Sequence, residues 1–453
     1  MKKKVVVIGG GAGGMTCAVQ IRKNSKEAEI TVIEKGKYVS WAGCPTPYYI
    51  AGELPFKSIV HYKPEYFKEE LNIDVKTECK AEKIDFENKT IKLINKDGTE
   101  EIEYDTVVLS CGATPFVPEI ENYSSDIEGI FKLSNAEDAE NIKEFIKSKS
   151  PKKAVIAGAG FIGMEMMESF VKCNMDVIAI EKSSEILPFL SHKLKEPILN
   201  KIREKEIRVI TGDSIVKIEK VSGENKINRA ILESGEVVET ELLLLSIGVK
   251  PNIELLKNSG YQFSENNRVV TDEKMMTYIK NVYAIGDMIY VKNSLKDIYE
   301  HVPLGDVADK QGLIAAANIC GIEKSYKGVN GSGATSFFDI RIAKTGLNLK
   351  EAEKYGYKAK SLFLKAFTKL PGFSDSPKGE MEIIYDEEKG VVLGAFMTGH
   401  EAVAQFVDIF SIVIYKQIKI EEFIDFDFCY SPTNSTVWNP LLILYRKYMK
   451  EGE

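Results

Sequence analysis

The chain has 453 residues, 44% of them hydrophobic and 28% charged, which is enough apolar material for about two to four domains with cores of their own. A formal net charge of -7, with lysines scattered along the chain, argues against nucleic-acid binding, and no apolar run approaches the roughly 18 residues of a membrane helix. Seven dispersed cysteines without CxxC or Cys/His spacing argue against a disulfide framework, a zinc site and an iron–sulfur cluster, and they favour the cytoplasm; no metal is expected.

The opening MKKKVVVIGGGAGGM has lysines before an apolar run, but the run is short and breaks into glycines, so it reads as a first strand rather than a signal peptide. Residues 4–8 are that strand. Gly9, Gly11 and Gly14 then form GxGxxG, residues 15–23 read as a helix, and a second apolar strand at 30–33 ends in Glu34. This is the dinucleotide fingerprint in context: glycines let backbone and helix N-terminus approach a pyrophosphate, and the acid accepts from a ribose hydroxyl. Read against it is a glycine turn with no ligand, which the strand, the spacing and the acid together disfavour.

Next comes SWAGCPTPYYIAGEL, residues 40–54, where Cys44 is followed by Pro45 and Pro47. Two prolines rule out a central strand and point to a rigid turn. A thiol so placed after a dinucleotide-binding strand suits electron transfer from a flavin to sulfur; the other reading is a small buried hydrophobe. Residues 66–71 suggest a short helix, and segments at 74–79, 83–86, 90–95 and 101–104 suggest a small antiparallel excursion. A strand at 106–109 runs into SCGATPFVP, where Gly112, Pro115 and Pro118 mark a crossing between domains.

A second fingerprint follows. Residues 154–157 read as a strand, Gly158, Gly160 and Gly163 complete GxGxxG, a helix runs through Val171, and a strand at 176–180 ends in Glu181. Two such fingerprints imply two dinucleotides, one that stays and one that comes and goes. Glu181 favours NADH by repelling a 2′-phosphate, with Lys182 beside it leaving room for NADPH. A helix at 191–205, strands near 208–210 and 215–220 and a buried strand at 241–245 lead to SIGVKPN, residues 246–252, which echoes the first crossing. Residues 281–287, NVYAIGD, form a strand ending in Gly286 and Asp287; Asp287 either caps a helix or holds a sugar-like hydroxyl chain.

After a helix at 307–319 the composition turns Gly/Ser-rich at 330–336, followed by strands near 359–364, 380–385 and 391–397 and helices at 401–416 and 440–449. This α+β part carries no cofactor motif and reads as an interface domain. Its late segment FCYSPTNSTVW, residues 428–438, either lines a site or packs. The histidines at 61, 192, 301 and 400 read as surface or structural residues.

In this order the features resemble the flavoprotein disulfide reductases, in the single-cysteine branch that holds coenzyme A disulfide reductases, persulfide and polysulfide reductases, and NADH oxidases. The resemblance covers essentially the whole chain. It implies an α/β fold with two Rossmann-like dinucleotide-binding domains plus a C-terminal α+β dimerisation domain: FAD on 1–114 and 247–323, NAD(P)H on 115–246, and a homodimer through 324–453. It places Gly9, Gly11, Gly14, Glu34, Cys111, Gly112, Gly248 and Asp287 at FAD, and Gly158, Gly160, Gly163 and Glu181 at NAD(P)H, with NADH favoured. Cys44 is the redox nucleophile, Tyr430 comes from the partner subunit, and Arg22 and Ser40 contact substrate.

Departures bear on that substrate. The family's SFxNCG is SWAGCP here, ANRQGR is ADKQGL at 308–313, so that Asp309 and Leu313 replace Asn and Arg, and YYPG is KLPG at 369–372. These changes count against coenzyme A disulfide as the physiological acceptor. Ala12 stands where water-forming oxidases carry histidine, which counts against four-electron reduction of oxygen. The resulting expectation is an NAD(P)H-dependent reductase of a disulfide, persulfide or polysulfide, with an NADH oxidase or an electron-transfer reductase for a small redox protein as alternatives.

Overall fold

The computed structural model describes residues 2–264, 267–367, 370, 378–399 and 401–451. The chain divides into two compact units, one of Met1–Ala157, Ile215–Lys292 and Tyr299–Gly328, the other of Gly158–Ser214, Asn293–Ile298 and Val329–Glu453.

In the first unit a five-stranded parallel sheet is ordered Val282–Ala284, Thr106–Leu109, Lys4–Ile8, Glu29–Ile33, Ile73–Lys76. Its strands are almost continuous runs of Val, Ile and Leu, as expected where helices leave neither face to water; Val7, Val32, Val107, Val108 and Leu109 are fully buried. Lys4–Ile8, the first strand of the chain, lies between two strands that both come later, pairing Val5 with Thr106 on one side and with Ile30 on the other. The chain therefore reverses its direction of travel across the sheet at the end of this strand, where ligand crevices form.

One expectation is corrected here. Residues 73–76 do not join the antiparallel excursion; they extend the main sheet in parallel, Ile30 opposite Ile73, because the helix Pro64–Leu71 supplies the crossover a parallel pairing needs. The excursion itself is three strands, Lys80–Asp85, Thr90–Asn95 and Gly98–Glu103. The two crossing segments pair with each other as an antiparallel ribbon, Lys250 opposite Thr114. The same unit holds Leu242–Leu245, four leucines of which none is more than 2% exposed, between Lys153–Ala157 and Ile130–Phe131. A helix absent from the sequence reading, Ala136–Lys149, starts at Asn135, whose side chain accepts from the Asp138 N–H.

In the second unit Asp176–Glu181 pairs in parallel with Arg208–Thr211. A separate antiparallel sheet runs Gly333–Phe337, Ile340–Gly346, Val391–Gly399, Lys378–Asp386, Ala359–Phe367. The first two strands are absent from the sequence reading because their Gly, Ser and Asp residues look like loop. Helix Val403–Lys416 lays Val403, Val407, Phe410 and Ile414 on this sheet at helical spacing, against Met381, Ile383 and Met397. Its other side carries Ile412 and Tyr415, 60% and 57% exposed, an apolar face without cover among the described residues. Of the KLPG segment only Leu370 is among the described residues; its N–H donates to Pro432 O at 3.1 Å. No helix among the described residues is long and apolar enough to cross a membrane.

Candidate functional site

The first glycine turn is shaped by contacts a side chain would destroy. Gly9 has φ +107°, and a Cβ there would sit 2.0 Å from the Ser110 carbonyl oxygen; one on Gly14 would sit 1.9 Å from the Gly9 oxygen. Gly11, by contrast, faces open space and begins the helix Ala12–Asn24 without any side-chain cap or acid in the first turn. The helix's unpaired N–H groups and the positive end of its dipole are thus presented to an open crevice, which suits a pyrophosphate. Glu34 closes the turn from the side: its Oε2 accepts from the Gly10 N–H at 2.7 Å and its Oε1 from the Gly36 N–H at 2.7 Å.

The second unit repeats this construction. Gly158 has φ +97°, Gly160 caps Phe161–Lys172 with open space before it, and the first turn has no acid. Glu181 accepts from the Ala159 N–H and the Ser183 N–H, both at 2.8 Å. Gly163 is buried in the helix, and Lys182 is exposed beside Glu181. Both loops fit a dinucleotide on their own geometry: an open cradle of N–H groups, and a carboxylate whose oxygens each keep a lone pair for a hydroxyl.

Back in the first unit, the Cys44 turn is fastened to the glycine loop. Ser40 adopts φ +52°, donates its N–H to Gly10 O at 2.9 Å and accepts at its own carbonyl from the His61 N–H. Ala42 N–H reaches Ile59 O, and Thr46 donates both its N–H and its hydroxyl to Gly43 O, the latter at 2.6 Å. Cys44 lies between, exposed, just ahead of the five-residue helix Thr46–Ile50. Its exposure removes the reading as a buried hydrophobe. The other cysteine at a cofactor-related position, Cys111, behaves oppositely: burial pushes its thiol up to about 12, so it stays protonated.

Gly112 at φ +65° and Gly248 at φ +96° both face open space, and each carbonyl is tied across the ribbon, to the Asn252 N–H and the Phe116 N–H. Asp287 sits in the single turn Gly286–Met288, so it does not cap a helix of any length. Burial pushes its carboxyl above the usual range, and His301 pulls it back. Helix Gly305–Ile319 packs on Ala12–Asn24 through Gly13 and Gly312; a Cβ on Gly312 would lie 2.6 Å from Gly13 O. The sequence reading takes His301 as a surface or structural residue and gives Gly13, Gln311 and Gly312 no role at the cofactor; only the small residues in facing helices offered a signal.

Arg22 is occupied otherwise than expected. Its guanidinium donates to the carbonyls of Leu71, Ser25, Lys26, Ala28 and Asn72, at 2.6 to 3.2 Å. All five of its N–H groups are used, on the loop after its own helix and on the end of helix Pro64–Leu71. Arg22→Ala is expected to cost about 2–3 kcal/mol and lower the thermal midpoint by about 4–8 °C in calorimetry. A variant that kept its midpoint and lost only affinity for the acceptor would put Arg22 at the substrate instead. Tyr430 belongs to the second unit and is exposed, in a loop closed by Ser431 and Ser435.

Comparison with known proteins gives a consistent result. Residues 3–312 match the family described as pyridine nucleotide-disulphide oxidoreductase, and residues 333–440 match its dimerisation domain. The chain is 35% identical over 99% of its length, and 99% of the other's, to an NADH oxidase of Methanocaldococcus jannaschii. It is 32% identical to an NAD(P)H sulfur oxidoreductase (CoA-dependent) of Pyrococcus abyssi, covering 98% of each chain. Among solved structures, a NAD-dependent persulfide reductase from A. fulgidus superposes with a TM-score of 0.93 at 32% identity, covering 99% of this chain and 83% of that one.

Proposed function

The chain belongs to the pyridine nucleotide-disulphide oxidoreductases, and from that premise we propose that it is an FAD-dependent oxidoreductase that uses NAD(P)H to reduce a disulfide, persulfide or polysulfide through Cys44. The observation that carries this reading is the exposed Cys44 turn tied to the first glycine loop by the Ser40 N–H on Gly10 O. It supports the reading of Cys44 as a nucleophile one short segment from the proposed flavin-nucleotide cradle.

When bound, FAD supplies a two-electron relay between nicotinamide and sulfur. The first glycine loop, with Glu34, Cys111, Gly112, Gly248 and Asp287, would hold it, and the second loop with Glu181 would take NADH in preference to NADPH. The Cys44 thiolate attacks one sulfur of an acceptor RS–SR, which forms a Cys44–SR bond and expels RS⁻. Two electrons from NAD(P)H then cleave that bond and return the Cys44 thiolate and a second thiol. The balance is RSSR + NAD(P)H + H⁺ → 2 RSH + NAD(P)⁺. Tyr430 of the partner subunit would protonate or stabilise the leaving thiolate, and of the two substrate contacts that the resemblance implies we keep Ser40, since the N–H groups of Arg22 are used on carbonyls of its own chain. A division into FAD, NAD(P)H and dimerisation domains, a homodimer and a cytoplasmic setting belong to the same proposal; the exposed Ile412 and Tyr415 support the homodimer.

The acceptor is the finer question. Asp309 accepts from the Thr16 hydroxyl at 2.6 Å, a carboxylate where the coenzyme A reductases carry an amide. It repels the phosphates of coenzyme A, so we favour a small polysulfide or persulfide. Asp309→Asn is expected to lower KM for coenzyme A disulfide by about threefold or more while leaving polysulfide unchanged. Equal effects on both acceptors would remove the charge argument.

The M. jannaschii relative favours a second reading, oxygen as acceptor. Anaerobic NADH oxidation by the purified flavoprotein decides between them. Turnover with polysulfide or coenzyme A disulfide under argon supports the sulfur reading; NADH consumption that appears only when air is admitted supports the oxidase.

A further inference from the structure

We propose that His301 is the positioning residue for Asp287: its ring grips the backbone of the Gly286–Met288 turn and thereby fixes the Asp287 carboxylate toward the hydroxyls of the flavin nucleotide. This rests on the reading of Asp287 as an FAD contact.

The turn is held from several sides while its carboxylate is not. Gly286 N–H donates to the fully buried Gln311 at 2.7 Å, Ile289 N–H returns to Gly286 O, and Met288 Sδ accepts from the Cys111 N–H at 3.4 Å. His301 Nε2 meets Asp287 O at 2.7 Å. A backbone carbonyl can only accept, so the ring proton is assigned to Nε2. Among the described residues no hydrogen bond ends on the carboxylate of the half-buried Asp287. A half-buried acceptor with no donor among these residues suits one from a ligand, and a polyol chain offers several.

The His301 ring is itself immobilised. Tyr290 packs on it with ring centres 5.8 Å apart, Arg268 lies 4.9 Å from the centre of the Tyr290 ring, and Tyr290 N–H is bonded to Val269 O. His301 also stands just ahead of the helix that carries Gln311, so the turn is gripped twice by the segment 301–311. Loss of the Nε2 donor releases the Asp287 carbonyl, the grip nearest the carboxylate, and leaves the turn held at Gly286 and Met288 alone.

The test is FAD titration of the flavin-stripped full chain, followed by flavin fluorescence, for the wild type, His301→Leu, His301→Gln, Asp287→Asn and the His301→Leu/Asp287→Asn double variant, with thermal melts of each apoprotein. Leu keeps the volume and removes the donor; Gln restores a donor near the place of Nε2. The expected result is FAD affinity weakened about tenfold by Leu, restored to within about twofold by Gln, and no weaker in the double variant than in Asp287→Asn alone. His301→Leu binding FAD like the wild type overturns the proposal, as do penalties that multiply in the double variant. So does a loss shared equally by Leu and Gln that tracks the apoprotein melts. If Asp287→Asn itself binds FAD normally, the reading of Asp287 fails, and that outcome is distinguishable because it does not depend on either His301 variant.

Discussion

Cys44→Ser is expected to lower kcat/KM for a sulfur acceptor by at least about 10³, some 4 kcal/mol of transition-state stabilisation, while NADH still reduces the bound flavin. Serine is close to cysteine in size, and position 44 is exposed in a turn that is also fastened by hydrogen bonds of Ser40, Ala42, Gly43 and Thr46. The substitution therefore leaves the fold intact. It removes the one property the reaction needs, an exposed sulfur that can attack another sulfur as the thiolate and leave it again. No other cysteine near the glycine loop can substitute: Cys111 is held protonated by burial, and Cys17 is fully buried with its thiol pushed higher still. Stopped-flow reduction by NADH and steady-state turnover with polysulfide, measured on the same sample, separate the two half-reactions. Unchanged turnover in the variant would mean that electrons leave the flavin without Cys44.

Gly9→Ala is expected to give a chain that retains little flavin and is less stable by about 3 kcal/mol or more. Two independent penalties meet at this residue. Its φ of +107° is a region that residues with a Cβ rarely adopt, and the added carbon would lie 2.0 Å from a backbone oxygen that cannot rotate away. The Ser110 N–H is bonded to Ile8 O and the Gly9 N–H to Ile33 O, so the clash cannot be relieved without separating strands of the central sheet. The ratio of flavin to protein absorbance and the melting temperature report the two penalties separately. Gly11→Ala, which faces open space at an ordinary φ of -73°, is the control: it keeps its stability and loses flavin affinity alone, because the new methyl group intrudes only on the ligand.

Much of the cofactor architecture was legible in the sequence because its physics is local. A strand, a glycine turn and an acid about twenty residues on are each specified by adjacent residues, and the two copies at Glu34 and Glu181 take nearly the same hydrogen bonds in the structure. What was not legible depends on partners far along the chain. Whether 73–76 pairs with its neighbours or with Ile30–Ile33 is decided by the crossover helix, not by the segment IDVK itself. The strands at 333–346 look like loop because their burial is supplied by the sheet they join. Asn135 is a cap signal for the helix behind it, weaker than the fingerprint signals on either side. At the site, Arg22 shows the limit of resemblance: the residue is present, yet its hydrogen bonds go to five carbonyls of its own chain. His301 is invisible without the fold, since 14 residues separate it from Asp287.

The central claim is that acceptor sulfur becomes covalently attached to Cys44 and is removed by electrons from NADH. The most direct measurement is peptide mapping by mass spectrometry of the oxidised flavoprotein after anaerobic exposure to coenzyme A disulfide or polysulfide, before and after one equivalent of NADH. The account predicts an adduct on the peptide containing Cys44, in stoichiometry with the flavin, that disappears on adding NADH. An adduct confined to Cys429, the other exposed cysteine, one that NADH does not clear, or none at all under conditions of turnover would contradict it.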